Sequence, residues 1–142
     1  MGSRFATVGQ QVGLLVLRVV AGVLMMTHGW PKAQMVFNGQ FDKFPDPIGL
    51  GNTASLILAA GAEFLCALLV VVGLGTRLVS IPLIITMLVA GFVAHAQDPL
   101  QKKELAFLYL AVFTAIALTG PGKLSLDALI CRRTRQLARA QV

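Results

Sequence analysis

Six ionisable side chains stand where their chemistry has consequences: Arg18, His28, Lys32, Glu63, His95 and Glu104. Arg18 and Glu63 lie inside long apolar runs, where a charge costs several kcal/mol unless it is paired or put to use. Counting ~1.5 Å per residue along each run puts Arg18 about 9 Å from one boundary and Glu63 about 15 Å from the other. In a hydrocarbon core of ~30 Å their backbones then differ in depth by about 6 Å, which a guanidinium can cross. The residues therefore predict an Arg18–Glu63 ion pair inside a helical bundle. Such a pair can fix helix register. It can equally supply a charge for an anionic or quinone-like ligand, or a carboxylate in a proton path.

The other four gather at a common depth near one end. His28 and Lys32 are one helical turn apart, His95 ends a later apolar run, and Glu104 opens the next. Arg18, Gly22, Met25, Gly29 and Lys32 fall on one helical stripe with His28 beside it. Gly22 and Gly29 leave room there for a neighbouring helix or a flat ligand. Two histidines and an acid in no ligand-like spacing predict no metal site. The chain has no glycine-rich phosphate loop, no CxxC and no haem-attachment motif, which argues against nucleotide, thiol–disulfide and c-type haem chemistry. Cys66 and Cys131 are read as reduced, structural thiols.

The elements that must hold these groups follow from hydropathy. The chain of 142 residues is 56% hydrophobic and only 13% charged, too apolar for a soluble core of this size. Four runs, at about 12–30, 53–74, 78–96 and 105–119, reach or approach the length of a membrane span. In lipid they must be helices, because each backbone amide needs a partner within its own segment. The expected fold is all-α: one integral membrane domain over 1–142, a four-helix transmembrane bundle. Gly73, Gly75 and Arg77 form a tight turn, and Asp98-Pro99 another. The long connection 31–52 carries Phe37, Phe41 and Phe44 at i, i+4, i+7, which predicts a short interfacial helix. The tail 125–142 reads as a basic amphipathic helix, with Ser125 as N-cap and arginines opposite Leu126, Leu129, Ile130 and Leu137.

The formal charge of +6 does not indicate nucleic acid, because four arginines (Arg132, Arg133, Arg135, Arg139) crowd the tail. They suit an anionic lipid surface. Arg4, Arg77, Lys123 and the tail arginines fall on one side, against Lys32, Lys43, Lys102 and Lys103 on the other. The positive-inside rule then puts both termini in the cytoplasm. The first apolar run ends without a small-residue cleavage site and is read as retained.

The ordered set Arg18/Gly22, His28-Gly29/Lys32, Glu63, the Gly73–Arg77 turn, His95, Glu104 and Gly120-Pro121-Gly122 followed by Ser125-Leu126-Asp127 resembles the DoxX family of small bacterial membrane proteins. The resemblance runs almost the whole length. It implies a four-helix bundle in a bacterial inner membrane and work near redox chemistry, including quinone-linked oxidoreductases and oxidative-stress complexes.

Three functions are compatible with this reading. The first is a membrane subunit of a quinone-linked oxidoreductase, holding a quinone or small anion in the outer half of the bundle. The chain has no redox group of its own, so a soluble or membrane partner protein, or a soluble reductant, must exchange the electrons. The second is a non-catalytic anchor for a soluble enzyme. The third is a small transporter, for which four helices require a homo-oligomer. A quinone site predicts a pocket between helices lined by Arg18, His28 and Glu63. An anchor predicts a closed ion pair and no pocket.

Overall fold

The computed structural model describes residues 2–140, with side chains over 7–131 and at 133 and 134. The helix α1 (Gly2–Phe37) is the longest element. Its 36 residues make it longer than a ~30 Å core requires at ~1.5 Å per residue. The expected end at Trp30 is corrected: the helix continues past Pro31 to Phe37. A proline this close to a helix end removes one amide and one turn of pairing but leaves the last turns to close on themselves. Those last turns bring Lys32 onto the helix face. The predicted 37/41/44 interfacial helix does not form. Phe37 closes α1, Phe41–Lys43 makes a single 3-10 turn, and Phe44 is extended.

Asp46 organises the connection into α2 (Asn52–Val72). Its carboxylate accepts from the Ser55 hydroxyl at 2.6 Å and from the amides of Gly51 at 2.7 Å and Leu50 at 3.1 Å. The Gly51 amide is one of the donors that a helix start leaves without an intrahelical partner. In its middle α2 widens to a π-helix over Gly61–Cys66. It ends at Gly73, whose φ of 76° is open to glycine at little cost. Gly75 makes the second left-handed step, at φ 59°, and α3 (Thr76–Ala94) returns alongside. The last turn of α3 is again π, over Ala90–Ala94. After the His95–Pro99 turn comes α4 (Leu100–Thr119), and finally α5 (Leu126–Ala140). The predicted start of the fourth run near 105 moves back to Leu100, so Lys102, Lys103 and Glu104 lie within its first turns.

The helices α1 to α4 run alternately up and down around a core of Met25, Ala67, Val70, Leu83, Phe113 and Ile116. Outward, large apolar side chains are bare: Val16, Leu24, Leu58, Leu78, Phe92 and Leu118 are all at least half exposed. A surface this apolar is matched to lipid rather than water. Among the described residues, α1, α2 and α3 are each long and apolar enough to cross a membrane. The 20 residues of α4 give about 30 Å of helix, with the charges gathered at its start.

One end of the bundle is closed by the segment joining α4 to α5. Ser125 caps α5 through the amide of Ala128 at 3.2 Å. Asp127 caps α3 instead of its own helix, accepting from the amides of Gly75 at 2.9 Å and Thr76 at 3.2 Å. Leu126, Leu129 and Ile130 on α5 stay exposed. The side chains of Arg132, Arg135, Leu137 and Arg139, invoked above for the tail, lie outside the described ones, as do residues 141–142.

Candidate functional site

The expected Arg18–Glu63 pair is not formed. Arg18 is buried, and its guanidinium donates to the carbonyls of Val71 at 3.4 Å, Leu124 at 2.9 Å and Pro121. Glu63, also buried, pairs with Lys32. The reason is side-chain direction. Side chains on a helix lean toward its N-terminus. On antiparallel helices Arg18 therefore leans toward the end carrying Arg77, and Glu63 toward the end carrying His95. Depth counted on backbones alone missed that the two diverge. By the same rule Lys32, near the far end of α1, leans back into the bundle and meets Glu63. Gly73 supports the Arg18 contact, because a Cβ there would lie 2.8 Å from the guanidinium carbon. Arg18 thus ties α1 to the α2 end and to the α4–α5 junction.

The two stripe glycines serve a neighbouring helix. A Cβ on Gly22 would fall 2.5 Å from a Val71 methyl, and one on Gly29 would fall 2.6–2.7 Å from the backbone of Glu63 and Phe64. The seat for Gly29 is the π-helical stretch of α2 itself. An inserted π turn bulges the backbone outward and re-aims the side chains it carries, here bringing Glu63 against α1 at the level of Lys32.

Around this pair is a cavity of about 160 Å³. It takes His28 and Lys32 from α1, Glu63 from α2, His95 from the end of α3, and Lys102 and Tyr109 from α4. Its apolar wall is Met25, Met87, Ala90, Leu105 and Ala106. Of the predicted site residues, His28, Lys32, Glu63 and His95 come together here, whereas Arg18 and Glu104 are not in the wall. Glu104 is exposed on the outside of α4. One helical position decides this: Lys102, Leu105, Ala106 and Tyr109 share the inward face, and Glu104 is rotated off it.

Tyr109 was not foreseen. Its signal was present, as the single tyrosine of the chain at i+7 from Lys102. It is buried, lies edge-on to the His28 ring at 5.9 Å and stacks on Phe113 at 5.9 Å. At the mouth, His95 Nδ1 is 2.7 Å from Asp98 Oδ2, and Lys102 Nζ is 3.6 Å from the other carboxylate oxygen. The His95 hydrogen bond, followed by the charge of Lys102, holds the Asp98 carboxyl below the usual carboxylate range. No cluster of three or more His, Cys, Asp or Glu suited to a metal occurs among the described residues. A second opening, about 300 Å³ between Thr7, Gln11 and Lys123, lies at the opposite end. It gathers one charged side chain where the first gathers three.

The site can therefore offer cationic and neutral hydrogen-bond donors, a buried carboxylate, an imidazole and a phenol to one small head group. The fold and this cavity define an integral membrane helical bundle with a polar site near one end. The model of the DoxX family matches residues 13–96, and the chain belongs to that family. It is similar to a Bacillus subtilis protein named "Putative oxidoreductase CatD", 31% identical over 121 residues that cover 84% of this chain and 88% of that one. It is also similar to a Haemophilus influenzae protein whose name assigns no function, 30% identical, covering 87% of this chain and 86% of that one. No solved structure matches it.

Proposed function

We propose that this chain is the membrane subunit of a redox system and holds a quinone head group in the cavity between Lys32, Glu63 and Tyr109. The observation that carries the reading is that the Lys32–Glu63 pair lines open space. A pair that only fixes register needs no cavity beside it, and an anchor needs neither. Ligand pockets for whole drug-sized molecules run from about 300 Å³ upward. A cavity of about 160 Å³ suits a single ring, with any isoprenoid tail left among the lipid-facing helices. The name of the Bacillus subtilis relative, an oxidoreductase, supports the redox part of this reading.

In this reading Lys32 and His28 donate to the ring oxygens, Glu63 takes part in proton movement, and Tyr109 packs against the ring edge. Arg18 is outside the site and holds the bundle together. Electrons are exchanged with a soluble or membrane partner protein, or with a small reductant. The basic end, with Arg77 and the tail, faces the cytoplasm of a bacterial inner membrane by the positive-inside rule. The cavity then opens on the outer side.

The test is saturable binding of a short-chain ubiquinone to the purified protein in mild detergent. Lys32→Met and Glu63→Gln each weaken binding about tenfold or more, the scale of one charged or buried hydrogen bond. Gly13→Ala, a position with nothing within 4 Å, leaves it unchanged. Absence of saturable binding by the folded wild type refutes the reading.

A further inference from the structure

His95 and Asp98 form a device that the quinone reading does not by itself require. The π turn Ala90–Ala94 ends in the bond from the His95 amide to the Ala90 carbonyl, 3.1 Å long. The Asp98 amide then bonds back to the His95 carbonyl at 3.0 Å. This backbone turn places the Asp98 carboxylate on Nδ1 of the His95 ring, while the same ring lines the cavity. About half of the imidazole surface is in solvent, at 48%. The ring is thus shared between water and the site.

A carboxylate only accepts hydrogen bonds. Asp98 therefore fixes the tautomer of His95 with the proton on Nδ1, leaving Nε2 as the nitrogen available to a ligand. Neutral His95 offers the cavity a lone pair. Protonated His95 offers it an N–H. A quinone oxygen can only accept, and a quinol hydroxyl can donate. We propose that His95, positioned by Asp98, reads the redox state of the bound head group: its protonated form selects the quinone and its neutral form selects the quinol. Binding of the oxidised ring then takes up a proton at the exposed edge of the site, and binding of the reduced ring favours its loss. No electron moves in this step. The inference rests on the quinone reading and deepens it.

Other ionisable groups face the same space: His28 and Lys32 from α1, Glu63 from α2, Lys102 and Tyr109 from α4. His28 is the competing candidate and has no carboxylate partner among the described residues.

The experiment measures the Kd of a short-chain ubiquinone and, under argon, of its quinol between pH 5.5 and 8.5. For the wild type the two slopes have opposite sign: quinone affinity rises toward acid and quinol affinity toward base, each by at most about tenfold per pH unit. His95→Gln, which can both donate and accept, binds both forms with flat profiles, whereas His28→Gln keeps the opposed slopes. Asp98→Ala, which frees the tautomer, flattens both profiles, and Asp98→Asn, whose amide oxygen still accepts from Nδ1, restores them in part. A merely structural Asp98 would change the unfolding temperature and leave the slopes alone. Parallel or flat slopes in the wild type overturn the proposal and leave quinone binding standing. Failure of both forms to bind overturns the quinone reading and this inference with it.

Discussion

Removing Lys32 tests the central arrangement most sharply. The Glu63 side chain is 6% exposed and that of Lys32 is 25% exposed, so the two partners are not equivalent. Lys32→Met strands a buried carboxylate. Glu63→Gln strands an ammonium that keeps a quarter of its surface in contact with the surroundings and can swing outward along its stem. Breaking a buried pair typically costs ~3–5 kcal/mol. A stranded carboxylate has an escape, however, since it can take up a proton. For a model glutamate that costs about 3.7 kcal/mol at pH 7 and about 1 kcal/mol at pH 5. This limits the part of the damage that comes from the stranded charge, and the limit rises with pH. Lys32→Met should therefore destabilise more at pH 7 than at pH 5, by up to about 2.7 kcal/mol. Glu63→Gln should cost less, with little dependence on pH. The double variant Lys32→Met/Glu63→Gln should recover most of the loss, because it leaves no unpaired charge. Thermal or denaturant unfolding in mild detergent, followed by circular dichroism at both pH values, measures all three. Equal destabilisation by Lys32→Met at pH 5 and pH 8, or a larger cost for Glu63→Gln, would refute the assignment of Glu63 as the buried charge that Lys32 neutralises.

Three further outcomes follow from the same geometry. Gly29→Ala puts a methyl 2.6–2.7 Å from the Glu63 and Phe64 backbone; it should destabilise by ~1–3 kcal/mol, the scale of an overpacked core, and weaken ligand binding, with Gly13→Ala as the neutral control. Arg18→Lys keeps the charge but cannot reach the Val71, Pro121 and Leu124 carbonyls together; a loss of ~2–3 kcal/mol in unfolding free energy is expected from charged hydrogen bonds, with little change in the Kd of the site at the other end. Asp46 is held below the usual carboxylate range, first by the Ser55 hydroxyl and then by the Gly51 amide. Its contribution to the α2 start is present above the unfolded value near 4 and is lost as pH falls through the folded one, so the Leu50 and Gly51 amides should lose protection relative to their intrinsic exchange rates in acid, and should lack it at all pH in Asp46→Ala.

The sequence by itself determined the medium and most of the scaffold. Runs of apolar residues about 20 long leave the chain no soluble fold, and lipid permits only helices where such runs cross it. Glycine and proline at Gly73, Gly75 and Pro99 punctuate those helices wherever they are read. Polar groups in an apolar run are equally visible, so His28, Lys32, Glu63 and His95 could be picked out as candidates before any contact was known. Their partners could not. Whether Glu63 meets Arg18 or Lys32 depends on the lean of each side chain along antiparallel helices and on α1 running past Pro31, and neither is encoded in depth along one strand of sequence. The π turns at Gly61–Cys66 and Ala90–Ala94 shift the helical phase by part of a turn. No periodicity counted at 3.6 residues places both Glu63 and His95 on the cavity. Tyr109 sat in plain view as an ordinary aromatic in an apolar helix. Only the packing of α4 against α1 made it part of the site, because a cavity is a property of several helices together and of none of them alone.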